Sequence, residues 1–220
     1  MCTDPLPDFT NFSYTIVTPP DQPKGLGWDK LKECERRLAL YKWAERLNDL
    51  PGPQDQIIIR RLPHRIFLDD CLSAFLMTLE AALQFVGEQL SPILKPYTPK
   101  GEDPFSWWLK GLPTHDLHLK GLRTLRQFAA HVEIKPPTSG FHVLLRNAPG
   151  ERIARPEEVL QIWLLPELHQ TDLEKLRSPK LDVGDLPAWN KLILAQEAGK
   201  ILEHALGQAQ MILLEAENYL

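Results

Sequence analysis

The sequence predicts a mostly α fold, an up-and-down bundle of four main helices with a small β-hairpin and proline-rich connections. Three observations carry this. Four long stretches repeat apolar residues at three- and four-residue spacing, as a helix facing a core does. The 20 prolines cluster between those stretches and act as punctuation. Only two short apolar runs, Phe141–Arg146 and Leu160–Leu165, read as paired strands, with Asn147-Ala148-Pro149-Gly150 turning between them.

At 220 residues, 43% hydrophobic and 25% charged, the chain has ordinary globular composition and reads as one domain over 1–220. A formal charge of -4 excludes a global basic field, so any nucleic-acid contact falls to a local patch. Cys2, Cys34 and Cys71 are scattered and odd in number. Cys34 and Cys71 fall inside predicted helices and are expected as buried free thiols, not as a disulfide or metal framework. Residues 1–20 lack the basic start and apolar centre of a secretion signal. No run approaches the ~20 apolar residues of a membrane span. A cytoplasmic protein with no membrane partner is the expectation.

Residues 1–28 carry Pro5, Pro7, Pro19, Pro20 and Pro23 and are expected as an irregular arm, with Phe12–Val17 an edge strand or a surface lid. Asp29 opens a helix that runs to about Leu50, where Pro51-Gly52-Pro53 ends it. Leu31, Cys34, Leu38, Tyr41 and Ala44 mark one side, and Leu40, Trp43 and Leu47 a second. So wide an apolar face predicts burial against more than one neighbour. Gln56–Leu62 is β-branched, either a strand or the extended lead into the next helix.

The clearest core helix runs from about Arg65 to Leu90, with Leu68, Leu72, Phe75, Leu76, Leu79, Leu83, Val86 and Leu90 in register and Glu80 on its less apolar side. Ser91-Pro92 is expected to stop it. Within the connection Pro92–Pro113, Phe105–Leu109 forms a helical turn whose Trp107 and Trp108 plug the core or offer a stacking surface to bases. A helix over 115–133 follows, ended by Pro136-Pro137. Leu117, Leu122, Leu125, Ala129 and Val132 line one side, and Lys120, Arg123 and Arg126 form a neighbouring strip, solvated or facing an anion.

Residues 136–186 are expected as an irregular insertion holding the hairpin and a short helix from Thr171-Asp172 to Arg177. Asp185 then caps one long final helix, Pro187–Tyr219. The core is expected around Leu72, Phe75, Leu79, Leu125, Ile201 and Ala205.

Chemistry enters at Arg126-Gln-Phe-Ala-Ala-His131. This resembles the Arg-x4–6-His signature of the HEPN superfamily (higher eukaryotes and prokaryotes nucleotide-binding), and Leu125–His131 resembles its "LR-polar-F-x-x-H" form. The resemblance implies a helical bundle in which Arg126 and His131 are metal-independent ribonuclease residues, paired with their copies across a homodimer. It also implies a prokaryotic defence or toxin–antitoxin setting. Histidine can move a proton between the ribose 2′-hydroxyl and the leaving oxygen near neutral pH. Arginine can hold the phosphoryl oxygens as charge builds. On an ideal helix the fifth position on lies about 140° around, so the pair meets only where the helix ends between them or a second copy supplies one member.

A second basic cluster, Arg60, Arg61, His64 and Arg65, reads as a solvated loop or a phosphate-contacting patch. With Lys120, Arg123 and Arg126 it is expected to make one RNA-contacting surface. His115 and His118 could share a metal from one helix face, but no third ligand stands nearby and Asp116 points elsewhere, so surface histidines and no metal are expected. No GxxxxGK[ST], GxSxG, HExxH or CxxC pattern appears, which leaves ATPase, serine-hydrolase and zinc readings without a motif and implies no cofactor. The alternative function is a non-catalytic helical adaptor or structural subunit of a larger complex.

Overall fold

A computed structural model describes residues 27–46, 56–57, 62–131, 138–143 and 159–220. The fold is mostly α. Its helices are α1 (Trp28–Arg46), α2 (His64–Leu94), α3 (Pro104–Lys110), α4 (Leu117–His131), α5 (Gln170–Leu173), α6 (Leu186–Ala195) and α7 (Ala198–Glu217). The expected arm lies outside the described residues as far as residue 26, as do the end of the first predicted helix beyond Arg46 and Cys2.

The core forms where α2 meets α1, α4 and α7, with α1 and α4 each also against α7. Leu72, Phe75, Leu79, Leu125, Ile201 and Ala205 are all buried, as their spacing predicts. Each large apolar side chain so placed contributes about 1.5–3 kcal/mol. The wide apolar face of α1 has the expected cause, since that helix packs on both α2 and α7. Cys34 and Cys71 are buried free thiols. Cys34 Sγ donates to the Phe75 carbonyl of α2 at 3.7 Å, and burial pushes the Cys71 thiol up to about 12.

Three polar contacts close the seam between α1 and α7. Trp28 Nε1 donates to Glu217 at 2.9 Å, Lys42 meets Glu203 at 2.8 Å, and Glu45 accepts from the Gly199 amide at 3.1 Å. That amide belongs to the first turn of α7, whose own N-cap Glu197 supplies no side-chain bond. Glu45 therefore caps α7 from another helix. Burial raises its carboxyl to about 7, and the Gly199 amide and Tyr41 hydroxyl pull the other way.

Two helix ends differ from expectation. α2 runs through Pro92 to Leu94, because a proline in the last turn forfeits a single hydrogen bond. The Leu94 carbonyl is then satisfied by the Thr98 hydroxyl at 2.9 Å. The single final helix is two, α6 and α7, broken where Gln196 and Glu197 turn extended. No proline or glycine stands at those two positions; the break is imposed by packing, since α6 lies on α4 while α7 also reaches α1 and α2.

The hairpin forms from β3 (Thr138–Val143) and β4 (Val159–Leu164), antiparallel, with Phe141 opposite Gln161. Both strands begin earlier than the apolar runs predict. The run at Gln56–Leu62 is neither one strand nor a plain lead: β1 (Gln56–Ile57) pairs antiparallel with β2 (Leu62–Pro63). The predicted 171–177 helix shortens to α5, where the His169 amide donates to Asp172 at 2.8 Å.

The expectation of no membrane-length apolar run needs qualification. By length and composition Phe67–Tyr97 could cross a bilayer: an 18-residue window within it has a mean hydropathy of 1.2, and 61% of that window is buried within the fold.

Gly121 sets how closely α4 and α6 approach. A Cβ there would fall inside contact distance of the Trp189 ring, and Trp189 is fully buried. Gly121→Ala is therefore expected to lose about 1–3 kcal/mol through overpacking, against the gain in helix propensity that alanine gives elsewhere. Chemical denaturation measures it; a stabilised variant would contradict this packing.

Candidate functional site

α4 is organised by its first residues. The Asp116 carbonyl accepts from the Lys120 amide at 3.0 Å, and Asp116 Oδ1 from the Leu119 amide at 3.1 Å, so Asp116 is the N-cap. Downstream, the Thr124 hydroxyl donates to the Lys120 carbonyl at 2.9 Å and accepts from the Lys180 and Leu181 amides at 3.1 and 2.9 Å. Gln127 Nε2 holds the Ser178 carbonyl at 3.1 Å. These bonds clamp the segment 178–181 along α4 and bring Lys180 to its basic residues.

Arg123 was expected on a strip with Lys120 and Arg126, solvated or facing an anion. It lies inside, 6% exposed. Its Nε and Nη2 grip Glu80 of α2 at 2.8 and 3.0 Å, and Nη1 faces His115 Nε2 at 3.3 Å. A guanidinium so enclosed offers no edge to a phosphate. The cause is geometric: α4 is covered on nearly every side, with Leu119, Leu122, Leu125 and Phe128 all buried. Residues three apart also drift about 60° around a helix, so the middle member of the strip turns inward.

Burial works to raise the Glu80 carboxyl, but the Arg123 hydrogen bonds and the charges of Arg123, Arg126 and Lys180 outweigh it and hold it below its ordinary value. His115, expected at the surface, is buried. Burial, then the charge of Arg123, pushes it down to about 3, so it is a neutral imidazole accepting from Arg123. Burial also lowers the Lys180 ammonium, with Arg123 next in effect.

Arg126 is half-buried on α4, and its Nε is enclosed without a hydrogen-bond partner. Lys120 lies 3.8 Å from Asp185 and is partly exposed. His131 is the last residue of α4; its side chain lies outside the described residues, as do Arg60, Arg61 and the Arg65 side chain. Neither the meeting of the two basic stretches nor that of Arg126 with His131 is therefore described. Trp108 is buried, stacked on Phe105 with centroids 5.8 Å apart and edge-on to Tyr219 at 5.9 Å. Trp107 and Trp108 line, with Lys110, Gly111, Leu112 and Tyr219, an open hollow of about 410 Å³.

Glu80, expected on the less apolar side of its helix, is buried, and Lys180 and His204 carried no expectation. Asp116 does not point away from the histidines: its Oδ2 lies 3.2 Å from His118 Nδ1 and 2.7 Å from His204 Nε2 on α7. The apolar neighbours Leu76, Leu79 and Leu83 around Glu80 were a signal, because an acid set among them needs a partner. Nothing local could have named Lys180 or His204. No protein-family model, no curated protein and no solved structure matches this chain.

Proposed function

We propose that this protein is an RNA-binding helical component of HEPN-like type, in which Arg126 anchors a backbone phosphate and His131 carries the proton in metal-independent cleavage. One observation supports the anchor. Glu80 is the carboxylate that Arg123 grips, yet Arg126 and Lys180 also act on it by charge. After Arg123 is matched, the charges of Arg126 and Lys180 still act on the pair, and Arg126, unlike Arg123, is only half-buried. The exposed part of such a guanidinium suits a phosphate oxygen. The defence or toxin–antitoxin setting comes with the resemblance alone.

Cleavage asks more, because on one helix the two side chains diverge by about 140°. The nuclease reading therefore runs through a homodimer. That same divergence favours the second reading, a non-catalytic helical adaptor.

The test uses purified protein and total RNA. Binding should weaken steeply as salt rises, and Arg126→Ala should weaken it by about tenfold, the loss of a charge-assisted contact of roughly 1.5 kcal/mol. Cleavage should persist in EDTA, leave 2′,3′-cyclic phosphate ends and vanish in His131→Ala with the fold intact. Arg126→Lys should fail as well, for lysine lacks the planar fork. Binding without cleavage would leave the RNA component and remove the nuclease. No salt-dependent binding at all would leave the adaptor.

A further inference from the structure

Asp116, His118 and His204 converge where the start of α4 meets α7, and their ligand atoms all lie within 4.8 Å of one another. Two features make this more than a surface contact. The carboxylate is pinned, since Oδ1 is committed to the Leu119 amide and Oδ2 alone faces both imidazoles. The rings are also held together, with centroids 4.0 Å apart and planes tilted by 36°. Each ligand thus rides on a helix, or on the cap of one, and the two helices are packed together.

The spacings have a chemical meaning. Zinc bonded to nitrogen and oxygen at about 2.0–2.2 Å in a tetrahedron separates its ligands by about 3.3 Å. Oδ2 lies 3.2 Å from His118 Nδ1, close to that value, and 2.7 Å from His204 Nε2, a hydrogen-bond distance that a bound ion would open toward it. Gln208, one turn further along α7, brings its amide to 3.1 Å from the same His204 nitrogen. Without an ion the trio holds as hydrogen bonds, each imidazole donating to Asp116 Oδ2; with one, both histidines turn lone pairs inward and keep their protons on their outer nitrogens. Gln208 is left to orient a bound water through either end of its amide.

We infer that Asp116 Oδ2, His118 Nδ1 and His204 Nε2 form a binding site for a divalent transition metal of the zinc class, with the fourth position open to water. Two imidazoles and one carboxylate suit Zn²⁺, Co²⁺ and Ni²⁺ and disfavour Mg²⁺ and Ca²⁺, which take oxygen ligands. The partial exposure of all three side chains, 26% at Asp116, 18% at His118 and 41% at His204, gives the ion a way in and leaves room for the water. The site is separate from Arg126 and His131 and independent of the RNA reading.

The experiment is a titration of chelator-treated full-length protein with Co²⁺, read by the visible band of tetrahedral cobalt, followed by displacement with Zn²⁺. One equivalent is expected, with a raised melting temperature. His204→Ala and His118→Ala should each weaken binding by at least the 10–100-fold that outer-shell changes produce. Asp116→Asn keeps an oxygen for the Leu119 amide, so it tests the ligand charge while preserving the helix cap, and it too should weaken binding. Absence of the cobalt band, or equal binding by His204→Ala with unchanged circular dichroism, would overturn the assignment.

Discussion

Glu80→Ala is expected to destabilise the protein by about 3–5 kcal/mol, the cost of leaving a buried charge without its partner. The Arg123 guanidinium would remain enclosed between α2 and α4 with the charges of Arg126 and Lys180 beside it, and the neutral His115 could not balance them. The pair itself is not the source of that figure. Replacing Glu80 and Arg123 together by methionine should recover most of the loss, since two apolar side chains of similar volume remove both desolvation costs. Urea denaturation of the single and double variants separates the two statements. A single variant within about 1 kcal/mol of the wild type would contradict the buried pairing. The pH dependence has a definite sign: the Glu80 carboxyl is held below its ordinary 4.5, so its contribution is complete above that pH and is lost as pH falls through the lower folded value. The double variant should lack that component of acid sensitivity.

Trp189→Ala should cost about 3–5 kcal/mol as well, by a different route. The indole is fully buried and fills the space opposite Gly121, so its removal leaves a cavity between α6 and α4 that rigid helices close only in part. Its Nε1 has no hydrogen-bond partner. Trp189→Phe therefore sacrifices volume but no polar contact and should cost clearly less than the alanine change. Equal losses in the two variants would show that something other than packing holds the ring. The melting temperature in a thermal scan reads the order of the variants directly.

What was legible in the sequence follows the range of the physics. Leu68 to Leu90 keep a helical period because one helix meets one core, and that pattern is local. The two strands announced themselves through their apolar runs; the expected turn at Asn147–Gly150 lies outside the described residues. The break at Gln196–Glu197 does leave a mark: on one continuous helix Trp189, Leu192 and Ile193 would lie opposite Ile201, Ala205 and Ala209, with Gln196 and Lys200 interrupting the first face. Arg123 misled because its environment is not local. Its spacing with Lys120 and Arg126 describes a strip, whereas its environment is decided by Glu80, 43 residues away on α2. The histidines repeat the lesson: Asp116 and His118 are neighbours in sequence, but His204 joins them across 88 residues, a distance over which no motif can be read.

The seam between α1 and α7 has a consequence in time. Glu45 and Gly199 are separated by 154 residues. A ribosome adding roughly 5–20 residues per second takes on the order of 8–30 s to cover that interval. Throughout it the face of α1 that packs on α7 has no partner, and α7, uncapped until Glu45 reaches it, has not yet been made. The loop entropy of such a closure grows only slowly with length, about 0.6 kcal/mol per doubling, so the finished fold is hardly penalised for joining such distant helices. The burden falls on the nascent chain, whose first helix must stay soluble with one apolar flank open until the last one arrives.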